Sequence, residues 1–186
     1  MRKIRGNRSV PSLLAAAGMA LMTTGAALAQ PANDLCSAAQ VVTLNSSTSA
    51  TNVGASSDVA NTSCAFTPTD ALDVWFVYTP AATGLVLIDT EGSVDLDDTT
   101  LSIWSACGGA ELYCDDDGGT GLLSRLSVTL LSGVPYYIRV AGWDNGTGAF
   151  QLNGTQPPAG PSNHPCPGAT TVTAGSSTPG DNSTAN

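Results

Sequence analysis

Apolar and β-branched residues fall in short runs bounded by Gly, Pro, Asp and Asn: Gln40–Leu44, Asp73–Thr79, Gly84–Thr90, Thr99–Ser105, Ala110–Cys114, Arg125–Leu131, Pro135–Ala141 and Gly148–Asn153. No segment sustains a 3.6-residue period between caps, so the pattern predicts strands and not helices. Short strands separated by turn residues at this spacing predict an all-β chain, an antiparallel β-sandwich of jelly-roll type. Within the second run, Val74, Phe76 and Tyr78 alternate with Asp73, Trp75 and Val77. Both sets are largely apolar, which predicts a strand buried on its two faces. Gly84-Leu85-Val86-Leu87-Ile88 is nearly continuous and is expected to be central in its sheet.

The sandwich pattern occupies residues 30–155, and the flanks read differently. Residues 1–29 open on Arg2, Lys3, Arg5 and Arg8, continue through an apolar run from Leu13 to Met22 and close on Ala27-Leu28-Ala29. That is the layout of a secretory signal peptide cleaved before Gln30. The apolar run is shorter than the ~20 residues a spanning helix needs, so no membrane insertion is expected. Residues 156–162, Gln-Pro-Pro-Ala-Gly-Pro-Ser, read as a stiff linker. Beyond it Asn163-His164-Pro165-Cys166 realigns with Asn33-Asp34-Leu35-Cys36, followed by Ala169, Val172 and Thr173 against Ala39, Val42 and Thr43. Residues 163–186 are therefore expected to be the truncated start of a second copy, and the chain part of a longer one whose neighbouring modules are its first partners.

Charge narrows the partners. All four basic residues of the first eight positions belong to the leader, so from Gln30 onward two arginines face all fifteen acids. Such a surface repels phosphate backbones and anionic lipid headgroups, which excludes nucleic acid as a partner. Export to an oxidising compartment makes the cysteines disulfides before metal ligands. Cys36, Cys64, Cys107 and Cys114 form an even set within the module, and Cys166 repeats Cys36. Of the three possible pairings, Cys36–Cys64 with Cys107–Cys114 is the expectation, because the latter closes a short turn between two strand-like runs.

Two acidic clusters stand at strand ends: Asp95, Asp97 and Asp98 before one run, and Asp115, Asp116 and Asp117 after another, the latter followed by Gly118-Gly119. Carboxylates this dense repel one another unless a cation neutralises them, and Ca²⁺ accepts six to eight oxygens in flexible loop geometry. If the two loops meet, they form a calcium site. Neither has EF-hand spacing, and the alternative is a pair of solvated acidic turns. A further polar loop, Trp143-Asp144-Asn145, offers an indole to stack on a sugar or a peptide side chain, with hydrogen-bonding groups beside it. Trp75, Trp104, Tyr136 and Tyr137 lie within runs and read as core, and Arg125 and Arg139 as partners of nearby carboxylates. Residues 30–155 contain no His, no G-x-S-x-G elbow, no H-E-x-x-H and no P-loop, so no catalysis is expected.

Asn33-Asp34-x-Cys36, Asp73-Val74-Trp75-Phe76, Thr83-Gly84, Asp98-Thr99-x-Leu101-Ser102-Ile103-Trp104, Cys107, Cys114-Asp115-Asp116-Asp117, Gly133-x-x-Tyr136-Tyr137-Ile138-Arg139-Val140 and Thr147-Gly148-x-Phe150 follow one another in that order. Together they resemble the bacterial pre-peptidase C-terminal domain and its relatives in repetitive secreted proteins. The resemblance implies a β-sandwich accessory module, and since related collagen-binding domains bind calcium it points to Asp98 and the Asp pair after Cys114 as metal ligands. The disulfide-bearing form resembles tandem repeats more than protease-attached domains. The expected function is a non-catalytic secreted or cell-surface module, calcium-stabilised, with an adhesive or spacer role. The alternative is a domain that targets a secreted hydrolase or peptidase to extracellular polysaccharide or fibrous protein.

Overall fold

A computed structural model describes residues 29–57, 62–65 and 71–156. All of the expected signal peptide but its last residue, most of the linker, and the second copy with Cys166 lie outside these residues. Among the described residues nine strands follow in order: β1 (Gln40–Val41), β2 (Ser46–Thr51), β3 (Asp73–Tyr78), β4 (Gly84–Asp89), β5 (Thr99–Trp104), β6 (Glu111–Asp115), β7 (Arg125–Leu130), β8 (Tyr136–Gly142) and β9 (Ala149–Thr155). They form two sheets, ordered β1-β3-β8-β5-β6 and β2-β9-β4-β7. Every ladder is antiparallel except the two-residue pairing of β1 with β3. The chain crosses from one sheet to the other at nearly every connection after β3, which gives the jelly-roll sandwich its non-local contacts.

Alternation decides which side chains enter the space between the sheets. In β7, Leu126, Val128 and Leu130 are buried while Arg125, Ser127 and Thr129 are exposed. In β9, Phe150 and Leu152 turn inward, and Phe150 meets Phe76 of the opposite sheet edge-to-face with centroids 6.2 Å apart. A side chain fully buried in this way contributes about 1.5–3 kcal/mol. The five-stranded sheet is covered on its outer face as well. There Cys36, Trp75 and Trp104 form a second cluster, the indoles edge-to-face at 6.0 Å, with Tyr137 packed against them. This is why β3 and β5 are buried on both faces. By contrast β4, though interior to its sheet, leaves Leu85 half exposed on an uncovered outer face, so its continuous apolar run reflects position in the sheet and not two-sided burial.

The Asn-Asp-x-Cys segment is the strap that covers the outer face. Asn33 pairs with the edge of β3 twice, its carbonyl accepting from the Trp75 amide and its Nδ2 donating to the Trp75 carbonyl at 3.0 Å. Asp34 accepts from the amide and hydroxyl of Ser56 at 2.6 and 2.7 Å. Cys36 then bonds to Cys107, with Cα atoms 5.5 Å apart, and Cys64 bonds to Cys114 at 5.6 Å. This corrects the expected pairing of Cys36 with Cys64 and Cys107 with Cys114. The β5–β6 turn, closed between Ser105 and Ala110, carries Cys107 at its tip, whereas Cys114 lies opposite Ser102 further down the ladder. At ~3.3 Å per residue that separation is about 10 Å, beyond the reach of a disulfide. Each cysteine bonds outward instead, one to the strap and one to residues 62–65.

Candidate functional site

The site is built from three connections at one end of the sandwich: the one leading into β5, the one leaving β6 and the one between β8 and β9. Asp98, Asp116 and Asp117 each bring one carboxylate oxygen into a group lying within 4.8 Å of one another. Asp98 and Asp116 are half-buried and Asp117 is exposed. The other three acids of the two clusters do not join this group. Asp95 and Asp97 are exposed on the approach to β5. Asp115 turns its carboxylate onto its own loop, accepting from the Gly118 amide at 2.9 Å and from the Arg125 amide at 2.7 Å. Its function is therefore to fold the acidic loop back onto the start of β7.

Burial raises the pKa of Asp98 above the ordinary 3.8, and the charges of Asp117 and Asp97 raise it further. Apposed carboxylates resist ionising together, which is the electrostatic condition a cation relieves. The spacing suits one ion: two oxygens each about 2.4 Å from a calcium ion lie at most about 4.8 Å apart. The donor set is all oxygen, from the connection after β6 and the residue before β5, as a hard cation requires.

The connection at Trp143 sits against this group. The Trp143 amide donates to the Asp98 carbonyl at 3.2 Å. Asp144 and Asn145 hold left-handed backbone, with φ of 48° and 58°, a region that Asp and Asn tolerate better than most residues. Asn52, fully buried, secures this loop: its Nδ2 donates to the Gly146 carbonyl at 2.8 Å and to the Leu72 carbonyl at 2.9 Å, and its Oδ1 accepts from the Gly148 amide at 2.9 Å. The indole of Trp143 is half-buried, and Asp144 and Asn145 are exposed. Of the three sequence-derived candidates of this loop, Trp143 thus lies beside Asp98, while Asn145 Oδ1 accepts from the Ala71 amide at 3.4 Å.

Both arginines are paired. Arg125 Nη2 contacts Glu91 Oε1 at 2.5 Å near the surface, and Arg139 Nε contacts Asp73 Oδ2 at 2.5 Å in full burial. Glu91 also accepts from the Thr120 amide at 2.9 Å, so this one carboxylate ties the β4–β5 connection to the β6–β7 connection and to the start of β7. Sequence reasoning did not find Asn52, nor the buried hydroxyls of Thr90, Thr99 and Ser124 that lie beneath the acidic loops. In a chain this rich in Ser, Thr and Asn no local signal separates them from their neighbours.

A family model described as galactose binding domain-like and T9SS-associated matches residues 32–153. Among solved structures, the chain is similar to the pre-peptidase C-terminal domain of collagenase from Bacillus anthracis, at 15% identity and a TM-score of 0.42, over 63% of this chain and 94% of that one. No curated protein matches it.

Proposed function

The chain belongs to the T9SS-associated, galactose binding domain-like family, and from that premise we propose that residues 30–155 are a non-catalytic module of a secreted or cell-surface protein. The module holds a calcium ion between Asp98, Asp116 and Asp117 and serves an adhesive or spacer role within a longer chain. The observation that carries the calcium reading is the convergence of these carboxylates from two separate connections. The ion would neutralise their repulsion and lock the loop end, leaving an ordered tip between modules.

Thermal unfolding of the oxidised chain tests this reading. Free Ca²⁺ at 100 times its dissociation constant adds about 2.7 kcal/mol, which raises the Tm by on the order of 10 °C in a domain of this size. The rise is expected with Ca²⁺ and not with equal Mg²⁺, and Asp98→Asn is expected to abolish it. In EDTA the same substitution reports the sign of the Asp98 contribution. Because the folded chain holds the Asp98 proton more tightly than the unfolded chain, stability due to Asp98 declines as pH rises above 3.8 through its raised pKa. The difference between wild type and Asp98→Asn is expected to follow that slope. No response to Ca²⁺, or an equal one to Mg²⁺, would reduce the carboxylates to solvated turns.

A second reading, supported by the family description and by the attachment of Trp143 to Asp98, is a targeting module for polysaccharide or fibrous protein. Trp143 would stack on the ligand and Asp144 and Asn145 would hydrogen-bond to it. Retention of the oxidised chain on a galactose-bearing matrix, reduced by Trp143→Ala with Tm unchanged, is the result this reading expects. Equal elution of the two proteins would leave the spacer role.

A further inference from the structure

Beneath the acidic loops, three hydroxyls from the two ends of the β4–β5 connection and the end of the β6–β7 connection meet with no exposure to solvent: Thr90 just after β4, Thr99 at the start of β5 and Ser124 just before β7. Thr90 Oγ1 and Thr99 Oγ1 are 2.7 Å apart, and Thr99 Oγ1 and Ser124 Oγ are 2.9 Å apart. The Ser124 amide donates between Thr90 Oγ1 at 3.0 Å and Thr99 Oγ1 at 3.1 Å. The Ser124 hydroxyl lies 2.5 Å from the Thr99 carbonyl and 2.9 Å from the Asp116 carbonyl, with one proton to share between them. The Thr90 amide closes the cluster by donating to the Ser124 carbonyl at 3.1 Å. Burying three hydroxyls costs free energy unless each is satisfied, and apolar side chains would fill the same space without that demand. What the hydroxyls add is direction.

Each of the two half-buried aspartates is tied to this cluster, Asp98 by a peptide bond and Asp116 by a hydrogen bond. Thr99 is the residue after Asp98, and strand alternation turns the two side chains to opposite sides. Asp116 has its own carbonyl held by Ser124 Oγ. We propose that Thr90, Thr99 and Ser124 are positioning residues for the calcium ion, holding the connection into β5 and the connection after β6 so that Asp98 and Asp116 face one another before the cation arrives. This rests on the calcium reading of the three carboxylates. Without such a tie, like-charge repulsion would spread the two connections in the ion-free chain, and binding would have to pay for reordering them. With it, the cradle is preorganised, and the affinity of the site depends on groups that never touch the ion.

The test separates hydroxyl from packing. Calcium affinity of the oxidised full chain is measured by titration calorimetry, and Tm in EDTA by thermal melt, for wild type, Thr99→Val, Thr99→Ser and Ser124→Ala, with Thr90→Val as a variant more remote from the carboxylates. Thr99→Val and Ser124→Ala are expected to bind Ca²⁺ about 10–100-fold more weakly, the range found when outer partners of metal ligands are removed. Thr99→Ser keeps the hydroxyl and loses a buried methyl, so its Tm in EDTA is expected to fall while its affinity stays that of wild type. Equal affinity in all variants would overturn the positioning role and leave the cradle standing. Equal loss in Thr99→Ser and Thr99→Val would assign the effect to packing and overturn it too. A wild-type chain that neither binds Ca²⁺ nor gains Tm from it would remove the cradle reading, and the positioning role with it.

Discussion

Arg139→Met is expected to destabilise the module by about 3–5 kcal/mol, a fifth or more of the roughly 5–15 kcal/mol typical of a folded domain. Arg139 lies in β8 in one row with Trp75 of β3 and Ser102 of β5. Its guanidinium and the carboxylate of Asp73 are 1% and 0% exposed, at the base of the outer cluster that the N-terminal strap covers. Methionine replaces the aliphatic stem and removes the charge, so the volume is nearly kept and the loss is electrostatic: the Asp73 carboxylate stays buried without the cation that compensates its desolvation. Urea unfolding of the oxidised chain measures this directly. The double variant Asp73→Leu, Arg139→Met is expected to recover most of the loss, because two apolar groups carry no desolvation cost in the same place. If the single variant lost under about 1 kcal/mol, water would have to reach Asp73, and the outer face of the sheet would be less well sealed than its burial indicates.

Side-chain alternation explains both what the sequence revealed of this fold and what it concealed. The two-sided burial of Asp73–Tyr78 was legible because both alternating sets are apolar, Val74 and Phe76 entering the main core and Trp75 the outer cluster. Strand β2 was not: Ser-Ser-Thr-Ser-Ala-Thr contains no apolar period, and the strand is held at the sheet edge by its ladder with β9 and by Ser47 and Ser49 hydroxyls on Gln151. The disulfides were misread for a related reason. Nearness in sequence suggested Cys107 with Cys114, while the ladder separates them and crossing connections bring distant partners to each. The acidic clusters were legible as chemistry and only partly as geometry. Composition marks all six aspartates alike, but the backbone turns Asp115 onto Gly118 and Arg125, and gathers Asp98, Asp116 and Asp117. The hydroxyl cluster beneath them was invisible because Thr90, Thr99 and Ser124 are separated in sequence and are brought together by the fold itself.

The remaining large effect is expected from the cysteines. Cys36–Cys107 closes a separation of 71 residues and Cys64–Cys114 one of 50, so the chain-entropy model assigns each about 4 kcal/mol. The two loops overlap in sequence, since each contains one cysteine of the other pair, so their joint contribution is less than the sum. Even so, losing both is comparable with the whole stability of a domain. The Cys36→Ser, Cys107→Ser variant frees the strap, and with it the cover over Trp75 and Trp104, so it is expected to lose packing as well as the crosslink. The Cys64→Ser, Cys114→Ser variant removes the covalent tie between residues 62–65 and β6, which among the described residues pairs with β5 alone, but leaves the Ser63 hydrogen bonds to Glu111, and is expected to lose mainly the crosslink. Melts of the two variants against the oxidised and reduced chain are expected to rank oxidised, Cys64→Ser with Cys114→Ser, Cys36→Ser with Cys107→Ser, and reduced, from most to least stable. Non-reducing peptide maps of the oxidised chain should recover Cys36 with Cys107 and Cys64 with Cys114. Recovery of Cys107 with Cys114 instead would require the β5–β6 turn to open, and the strap would then have no covalent hold on the sheet it covers.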